Sequence, residues 1–223
     1  MDYEKQYQEY LARVNRALEA ACNVYLPEES EVCRAARYSL LGGGKRIRAV
    51  LVLAVCDMLN GNAEAAEQFA AAVEMLHCYS LIHDDLPCMD NDDLRRGKPS
   101  CHKAFGEATA MLAGDVLLTE AFEVIANASA SPEICVRAAK ALGAGAGSHG
   151  MVYGQELDLK YEALAATEEQ LRQIHRHKTG ALINAAVQMG AAAAQATETQ
   201  SKELEAYAHG IGLVFQIVDD VLD

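Results

Sequence analysis

Long alanine-rich stretches, free of β-branched runs and turn clusters, constrain the fold of this chain more than any other feature. Such stretches favour helices, and no segment alternates with period two as a convincing strand would. The sequence predicts helices over residues 3–24, 30–40, 46–59, 64–83, 105–127, 132–148 and 151–160, a helix opened by a capping box at 167–170, a helical stretch punctuated at Gly180 and Gly190, and a last helix over 199–223. Residues 88–102 are polar and predicted to be irregular. We therefore expect an all-α fold in a single domain over residues 1–223.

Composition narrows the class of protein. Half of the residues, 51%, are hydrophobic, which is enough for a substantial core. The net charge of −13 argues against a nucleic-acid-binding surface. The seven cysteines form no CxxC pair, the first residues do not resemble a secretory signal, and no apolar run reaches the roughly 20 residues that span a bilayer. We expect a cytoplasmic protein with reduced thiols and no stable membrane insertion.

An acidic stripe marks the last helix. Gln216, Asp219, Asp220 and Asp223 are spaced i, i+3, i+4 and i+7, so they share one helix face, and the residues around them are apolar. Carboxylates in such surroundings repel one another and resist desolvation, and a hard divalent cation resolves both problems. A solvated acidic face is the alternative, but it would normally carry Lys, Glu and Ser as well.

A second acidic cluster comes at the end of the helix over 64–83. The macrodipole disfavours negative charge at a helix C-terminus, where Asp84 and Asp85 fall, so this placement calls for a compensating cation. Pro87 then ends the helix and allows Asp90 to fold back toward the pair. The sequence predicts a metal site here.

Basic residues lie close to the acidic clusters in the sequence. Arg95 and Arg96 follow the first cluster, Lys45 and Arg48 follow three glycines at the start of a helix, and Lys178 is a third candidate. Arginine forks, helix N-termini and glycine-rich backbone all suit phosphate oxygens. Carboxylates and arginines without a Cys/His ligand set indicate Mg²⁺ that bridges acidic side chains to a polyphosphate.

Three other patterns carry little weight. Arg46, rather than Ser or Thr, follows Gly44-Lys45, which excludes a P-loop. The GxGxxG over residues 145–150 follows no strand, so a dinucleotide-binding fold is not indicated. Glu74 and His77 form an ExxH, but a di-iron bundle needs a second copy and two further glutamates, and the sequence has no second copy.

At this point the motifs resemble those of the trans-isoprenyl diphosphate synthases, or polyprenyl synthetases. The two aspartate-rich motifs of that family resemble Asp84-Asp85 with Asp90 followed by Arg95-Arg96-Gly97, and Asp219-Asp220 with Asp223. Its isopentenyl-diphosphate motif resembles residues 43–48, and His77 and residues 150–155, 177–179 and 215–216 match further family blocks in the expected order. The resemblance covers nearly the whole chain. It implies a bundle of long helices around a central cavity (the isoprenoid synthase fold), a homodimer, and condensation of isopentenyl diphosphate with an allylic diphosphate.

The resemblance also implies roles for individual residues. Mg²⁺ would be held by Asp84, Asp90 and Asp219 directly, with Asp85, Asp220 and Asp223 in the same shell. Isopentenyl diphosphate would be bound by Gly44, Lys45, Arg48, His77 and Arg96, and the allylic diphosphate by Arg95, Lys178, Thr179 and Gln216. The residues expected to act in catalysis are Asp84, Asp85, Arg95, Lys178, Thr179 and Gln216.

In this family the residues four and five positions before the first aspartate form a floor under the growing product. Here they are Ser80 and Tyr79, and the bulk of Tyr79 favours a farnesyl product of the bacterial type. Residues 86–90 also resemble geranylgeranyl synthases, and a geranyl diphosphate synthase, a class I terpene cyclase and a non-catalytic homologue are further alternatives. Ala49 stands where the family usually has proline. The family continues beyond the position of Asp223, so we expect the chain to lack C-terminal helices.

Overall fold

The computed structural model describes residues 3–161, 164 and 166–222, and their side chains except those of 213 and 215–222. The helices are α1 (Tyr3–Tyr25), α2 (Glu31–Leu40), α3 (Ile47–Met58), α4 (Ala63–Asp84), α5 (Cys101–Phe105), α6 (Glu107–Ala126), α7 (Pro132–Ala146), α8 (Met151–Tyr161), α9 (Glu168–Ile174), a π-helix (His175–Gly180), α10 (Ala181–Ala193) and α11 (Glu198–Leu222). The predicted all-α class is confirmed. Local signals explain several boundaries: the Ser30 hydroxyl accepts from the backbone N–H of Cys33, and the capping box at Thr167 and Gln170 forms as predicted.

Residues 88–102 were predicted to be irregular, and the sequence showed no convincing strand, but the structure has two strands in this segment. Two short antiparallel strands, β1 (Leu94–Arg95) and β2 (Lys98–Pro99), form a hairpin, and α5 begins directly afterwards. The turn between them is Arg96-Gly97, with φ values of 54° and 75°. Two consecutive positive φ angles suit the right-handed twist of a tight hairpin. Two residues per strand are too few to show an alternating pattern, so the sequence gives no strand signal.

The stretch around Gly180 and Gly190 also differs from the prediction. Gly180 ends a π-helix, which sequence periodicity does not reveal, whereas Gly190 lies inside α10 and interrupts nothing. A Cβ at Gly190 would lie 2.5 Å from the carbonyl oxygen of Val52. This glycine therefore serves close packing of α10 on α3, rather than a helix end.

The chain divides into two compact units. The first contains Met1–Val50 and Glu67–Ser129, and within it α2 and α5 pack against α6. The second contains Leu51–Ala66 and Ala130–Asp223, and within it α10 packs against α7 and α11. An apolar cluster in the second unit joins α3, α10 and α11 through Val55, Val187, Ala191, Ala196, Leu204 and Ala208.

Two sequence expectations concern the environment of the chain. Six of the seven cysteines are buried, Cys88 is exposed, and all seven are free thiols. Over the described residues, none of the helices combines the length and the apolar character needed to cross a bilayer.

Candidate active site

The glycine-rich loop before α3 is fixed by a buried ion pair. Gly43 and Gly44 have φ values of 93° and 125°, and Arg46 also has a positive φ, 52°. The Arg46 guanidinium donates to the Leu40 carbonyl at 2.5 Å and pairs with the Glu74 carboxylate at 3.2 Å, with both side chains almost fully buried. Glu74 also accepts from the backbone N–H of Ala49 at 3.3 Å. Glu74 therefore anchors both the loop and the first turn of α3.

Four of the residues that the family resemblance assigns to isopentenyl diphosphate meet around this loop. Arg48 donates to Nε2 of His77 at 3.3 Å. Arg96, presented by the hairpin turn, donates to the Gly43 carbonyl, and its guanidinium lies against Gly44, where a Cβ would come within 2.7 Å of Cζ. Three separate segments, residues 43–48, α4 and the hairpin turn, thus bring two guanidinium groups and an imidazole close together, with Arg96 against Gly44 and Arg48 against His77. We call Gly44, Arg48, His77 and Arg96 the basic cradle.

The electrostatics of the basic cradle favour an anion. Burial, followed by the nearby charges of Arg48 and Arg96, lowers the pKa of His77 well below its ordinary value. His77 is therefore neutral at pH 7, and because an arginine can only donate, the imidazole proton sits on Nδ1. Burial and the charge of Arg46 lower the pKa of Arg96. A phosphate would relieve the repulsion among these cations.

The first aspartate cluster folds back as the sequence predicts. The backbone N–H of Asp90 donates to the Asp84 carbonyl at 2.8 Å, and Asn91, with φ 54°, closes the turn onto Leu86. Asp84 is half-buried and Asp90 is exposed. The helix end and the loop after Pro87 thus bring two aspartates into one turn.

The Asp85 carboxylate forms an ion pair with Arg95 within the protein. It is 2% exposed, and Arg95 donates to both of its carboxylate oxygens, from Nε at 3.0 and 3.2 Å and also from Nη2. Nη2 reaches Asp92 as well, at 3.3 Å. The hydrogen bond to Asp85 raises the pKa of Arg95. The proposed metal role of Asp85 and the diphosphate role of Arg95 remain predictions, and in this structure each satisfies the other.

Among the described side chains, no three His, Cys, Asp or Glu groups come together to hold a metal ion. Asp84 and Asp90 offer hard oxygen donors, which suit Mg²⁺ because that ion usually binds one or two carboxylates and completes its shell with water and phosphate. Gln216, Asp219 and Asp220 fall on α11, but their side chains lie outside the described residues, as does Asp223 altogether. The part of the metal site predicted on the last helix therefore remains a prediction.

Lys178 and Thr179 lie on the π-helix of the second unit. Lys178 forms an ion pair with Asp158 of α8, and His177 is 3.0 Å from the carbonyl of His149. A Cβ at Gly154 would lie 2.1 Å from the backbone nitrogen of Lys178, so α8 and the π-helix touch through bare backbone. Thr179 is half-buried. The local fold of this segment thus depends on the small residue in the block over 150–155.

The predicted chain-length residues lie on α4. Tyr79 is 9% exposed and its ring meets that of His83 edge to face, with 5.6 Å between centroids. The Ser80 hydroxyl donates back to the His77 carbonyl at 2.9 Å. Sequence reasoning placed Arg46 only within the basic motif over residues 43–48 and assigned no role to His83, although an ionisable residue directly before the first aspartate is the kind of signal that could have drawn attention to it.

Comparisons with known proteins identify the class. The sequence model of the polyprenyl synthetase family matches residues 29–223, and the chain belongs to this family. The structure superimposes on that of a geranyltransferase from Legionella pneumophila with a TM-score of 0.92 and 45% identity, covering 99% of this chain and 79% of the other. An FPP/GFPP synthase from Zymomonas mobilis gives a TM-score of 0.88 and 38% identity, covering 97% and 82%.

Curated relatives narrow the comparison without fixing a product. A farnesyl diphosphate synthase of Micrococcus luteus is 49% identical over 210 residues, which are 94% of this chain and 72% of the relative. Geranylgeranyl pyrophosphate synthase 4 of Arabidopsis thaliana is 48% identical over 213 residues, which are 94% of this chain and 57% of the relative. The chain thus spans little more than half the length of the plant relative.

Proposed function

We propose that this protein is a short-chain prenyl diphosphate synthase, which joins isopentenyl diphosphate to an allylic diphosphate. The basic cradle carries the proposal, because it places the Arg96 guanidinium against the bare backbone of Gly44 and the Arg48 guanidinium on the neutral imidazole of His77. Asp84 and Asp90 lie in the same unit, on the helix that also carries His77 and in the loop after it. Membership of the polyprenyl synthetase family supports this assignment.

Each proposed role follows from chemistry at a stated atom. Arg48 and Arg96 donate to the diphosphate of isopentenyl diphosphate, and neutral His77 donates from Nδ1 without adding charge. Lys178, and Arg95 once it is released from Asp85, hold the allylic diphosphate. Asp84, Asp85 and Asp90, with Asp219, Asp220 and Asp223, hold Mg²⁺, which when bound supplies positive charge to the leaving diphosphate.

The reaction balances as ionisation, condensation and elimination. The allylic C1–O bond breaks and its electron pair leaves with the diphosphate. The double bond of isopentenyl diphosphate then supplies the electron pair of the new carbon–carbon bond to C1. A proton is lost to the released diphosphate, which restores a double bond. Thr179 and Gln216 present dipoles that stabilise the allylic cation.

We propose farnesyl diphosphate as the product, because Tyr79 lies five residues before Asp84, or about 7.5 Å along the helix. A ring at that depth would stop a growing tail. Geranylgeranyl diphosphate is the second candidate, since the chain is about as similar to a geranylgeranyl synthase as to a farnesyl synthase. We also propose, from the resemblance to the family, a cytoplasmic location and a homodimer. Light scattering would test the dimer by comparing the mass in solution with the 24.0 kDa mass of one chain.

Labelled isopentenyl diphosphate, geranyl diphosphate and Mg²⁺ test the function directly. We expect diphosphate release and a C15 product, and turnover that persists in excess EDTA would contradict the proposal. Replacing Arg48 by alanine removes a charge-assisted hydrogen bond, so KM for isopentenyl diphosphate should rise about 10- to 150-fold while KM for the allylic substrate changes little. Lys202→Ala is the control, because Lys202 pairs with Glu198 on an exposed face of α11.

A further inference from the structure

A second aromatic ring holds Tyr79 in place. Tyr79 and His83 lie four residues apart on α4, so their side chains share one face of the helix. Their ring planes meet at 86°, with centroids 5.6 Å apart. Edge-to-face contact at this distance is a favoured arrangement of two rings. The orientation of the Tyr79 ring therefore depends on where His83 lies.

His83 is in turn fixed by α6. Its Nε2 lies 2.9 Å from the carbonyl oxygen of Met111. Because a carbonyl can only accept, Nε2 carries the proton and the ring is held by a directional bond. The Asp115 carboxylate is 3.9 Å from the same nitrogen, close enough to favour that orientation electrostatically.

Gly114 makes room for the His83 ring. A Cβ built on Gly114 would lie 2.1 Å from Nε2 and 2.4 Å from Cδ2 of His83. The imidazole therefore lies directly over the Cα of Gly114, in a place that every other residue would fill. Gly114 belongs to the regular helix α6, so neither a turn nor a positive φ accounts for a glycine here. Contact with His83 does.

We propose that His83 and Gly114 help to set product length, His83 as a positioning residue that holds the Tyr79 ring and Gly114 as the notch that admits His83. This inference rests on the proposed function, in which Tyr79 stops the growing chain. With the notch filled, the imidazole has to move, and Tyr79 loses the edge contact that fixes its ring. A contact of this kind biases a ring between orientations by about 2- to 13-fold.

Product analysis of Tyr79→Ala, His83→Ala and Gly114→Ala tests the proposal. Gly114→Ala displaces only the end of one side chain, so the protein should still fold. We expect all three variants to raise the share of products longer than the wild-type product, with Tyr79→Ala having the largest effect and Gly114→Ala an increase of about 2- to 13-fold. Leu112→Ala is the control, because Leu112 is 52% exposed on the same helix and should leave product length unchanged.

The outcomes separate the inference from the function on which it rests. Absence of any prenyl product from wild type would refute the proposed function. Longer products from Tyr79→Ala, together with wild-type products from both His83→Ala and Gly114→Ala, would overturn the inference alone. Wild-type products from Tyr79→Ala would refute the proposed role of Tyr79 in stopping the growing chain, and with it the inference about His83 and Gly114. Slower turnover at unchanged product length would count against the inference, since a general structural defect lowers rate without altering where the chain stops.

The same contact can be measured without turnover. Imidazole proton resonances of His83 should move when the neighbouring ring is removed in Tyr79→Leu, because they lie close to that ring. They should also move in Gly114→Ala and stay in place in Leu112→Ala. His83 resonances that do not respond to Gly114→Ala would refute the proposal that Gly114 makes room for the His83 ring.

Discussion

Replacing Glu74 by glutamine should destabilise the protein severely. The variant keeps an oxygen for the Ala49 N–H but leaves the Arg46 guanidinium without its counter-charge, in a pair whose side chains are 4% and 2% exposed. Removing one partner of a buried ion pair costs about 3–5 kcal/mol, because the remaining charge stays buried and uncompensated. For a chain of this size each kcal/mol lowers Tm by roughly 2–4 °C. The expected loss is therefore about 6–20 °C.

Urea unfolding followed by circular dichroism, together with thermal unfolding, measures this loss. Glu67→Gln is the matched control, because Glu67 pairs with Arg13 where the two side chains are 37% and 20% exposed. Loss of this more exposed pair should cost about 0–1 kcal/mol. Adding Arg46→Met to Glu74→Gln removes the stranded charge and should recover part of the stability. If Glu74→Gln unfolds within about 1 kcal/mol of wild type, the pair does not anchor the loop as argued.

Three further predictions concern other parts of the molecule. The folded-state pKa of His77 lies well below its ordinary 6.5, so below about pH 6.5 the unfolded chain takes up the proton first. The free energy of unfolding of wild type should therefore fall by up to about 1.4 kcal/mol for each pH unit below that point. His77→Gln should lack this dependence on pH, and equal slopes for the two proteins would contradict a neutral buried imidazole. Cys88 is the exposed thiol among the seven, so a thiol reagent should label it first, Mg²⁺ with diphosphate should slow the labelling, and Cys88→Ser should abolish the fast phase; a fast phase that survives Cys88→Ser would refute this. Gly154→Ala should cost about 1–3 kcal/mol or more in urea unfolding, because its Cβ meets backbone that cannot swing aside; an unchanged midpoint would show that α8 moves freely.

Much of the fold could be predicted from the sequence because helical propensity and caps act locally. Ser30 and the capping box at Thr167 begin their helices where the sequence indicates. The β1–β2 hairpin and the π-helix could not be predicted in the same way. The hairpin turns through two consecutive positive φ angles, and the π-helix lies against Gly154 through its backbone, and neither feature leaves a periodic pattern in the sequence.

The same distinction between local sequence signals and tertiary contacts applies to the candidate site. The types and spacing of its charged residues indicated a metal and a diphosphate, because that chemistry restricts the choice of side chains. Which charge pairs with which was not predictable, since it depends on tertiary placement. Arg95 therefore lies on Asp85 rather than open to a ligand, and Glu74, considered in the sequence only as part of an ExxH, binds Arg46.

The π-helix over His175–Gly180 has a consequence for any change in chain length there. One extra residue in a helix turns everything after it by about 100°. Deleting one residue from this segment would let α9 run into α10 as an ordinary α-helix, with more regular hydrogen bonding. The same deletion would rotate Lys178 and Thr179 relative to α8, away from Asp158 and Gly154. The irregular helix therefore fixes where the Lys178 and Thr179 side chains point, and a variant with a regular α-helix here should bind the allylic diphosphate less well, since both residues are proposed to hold it.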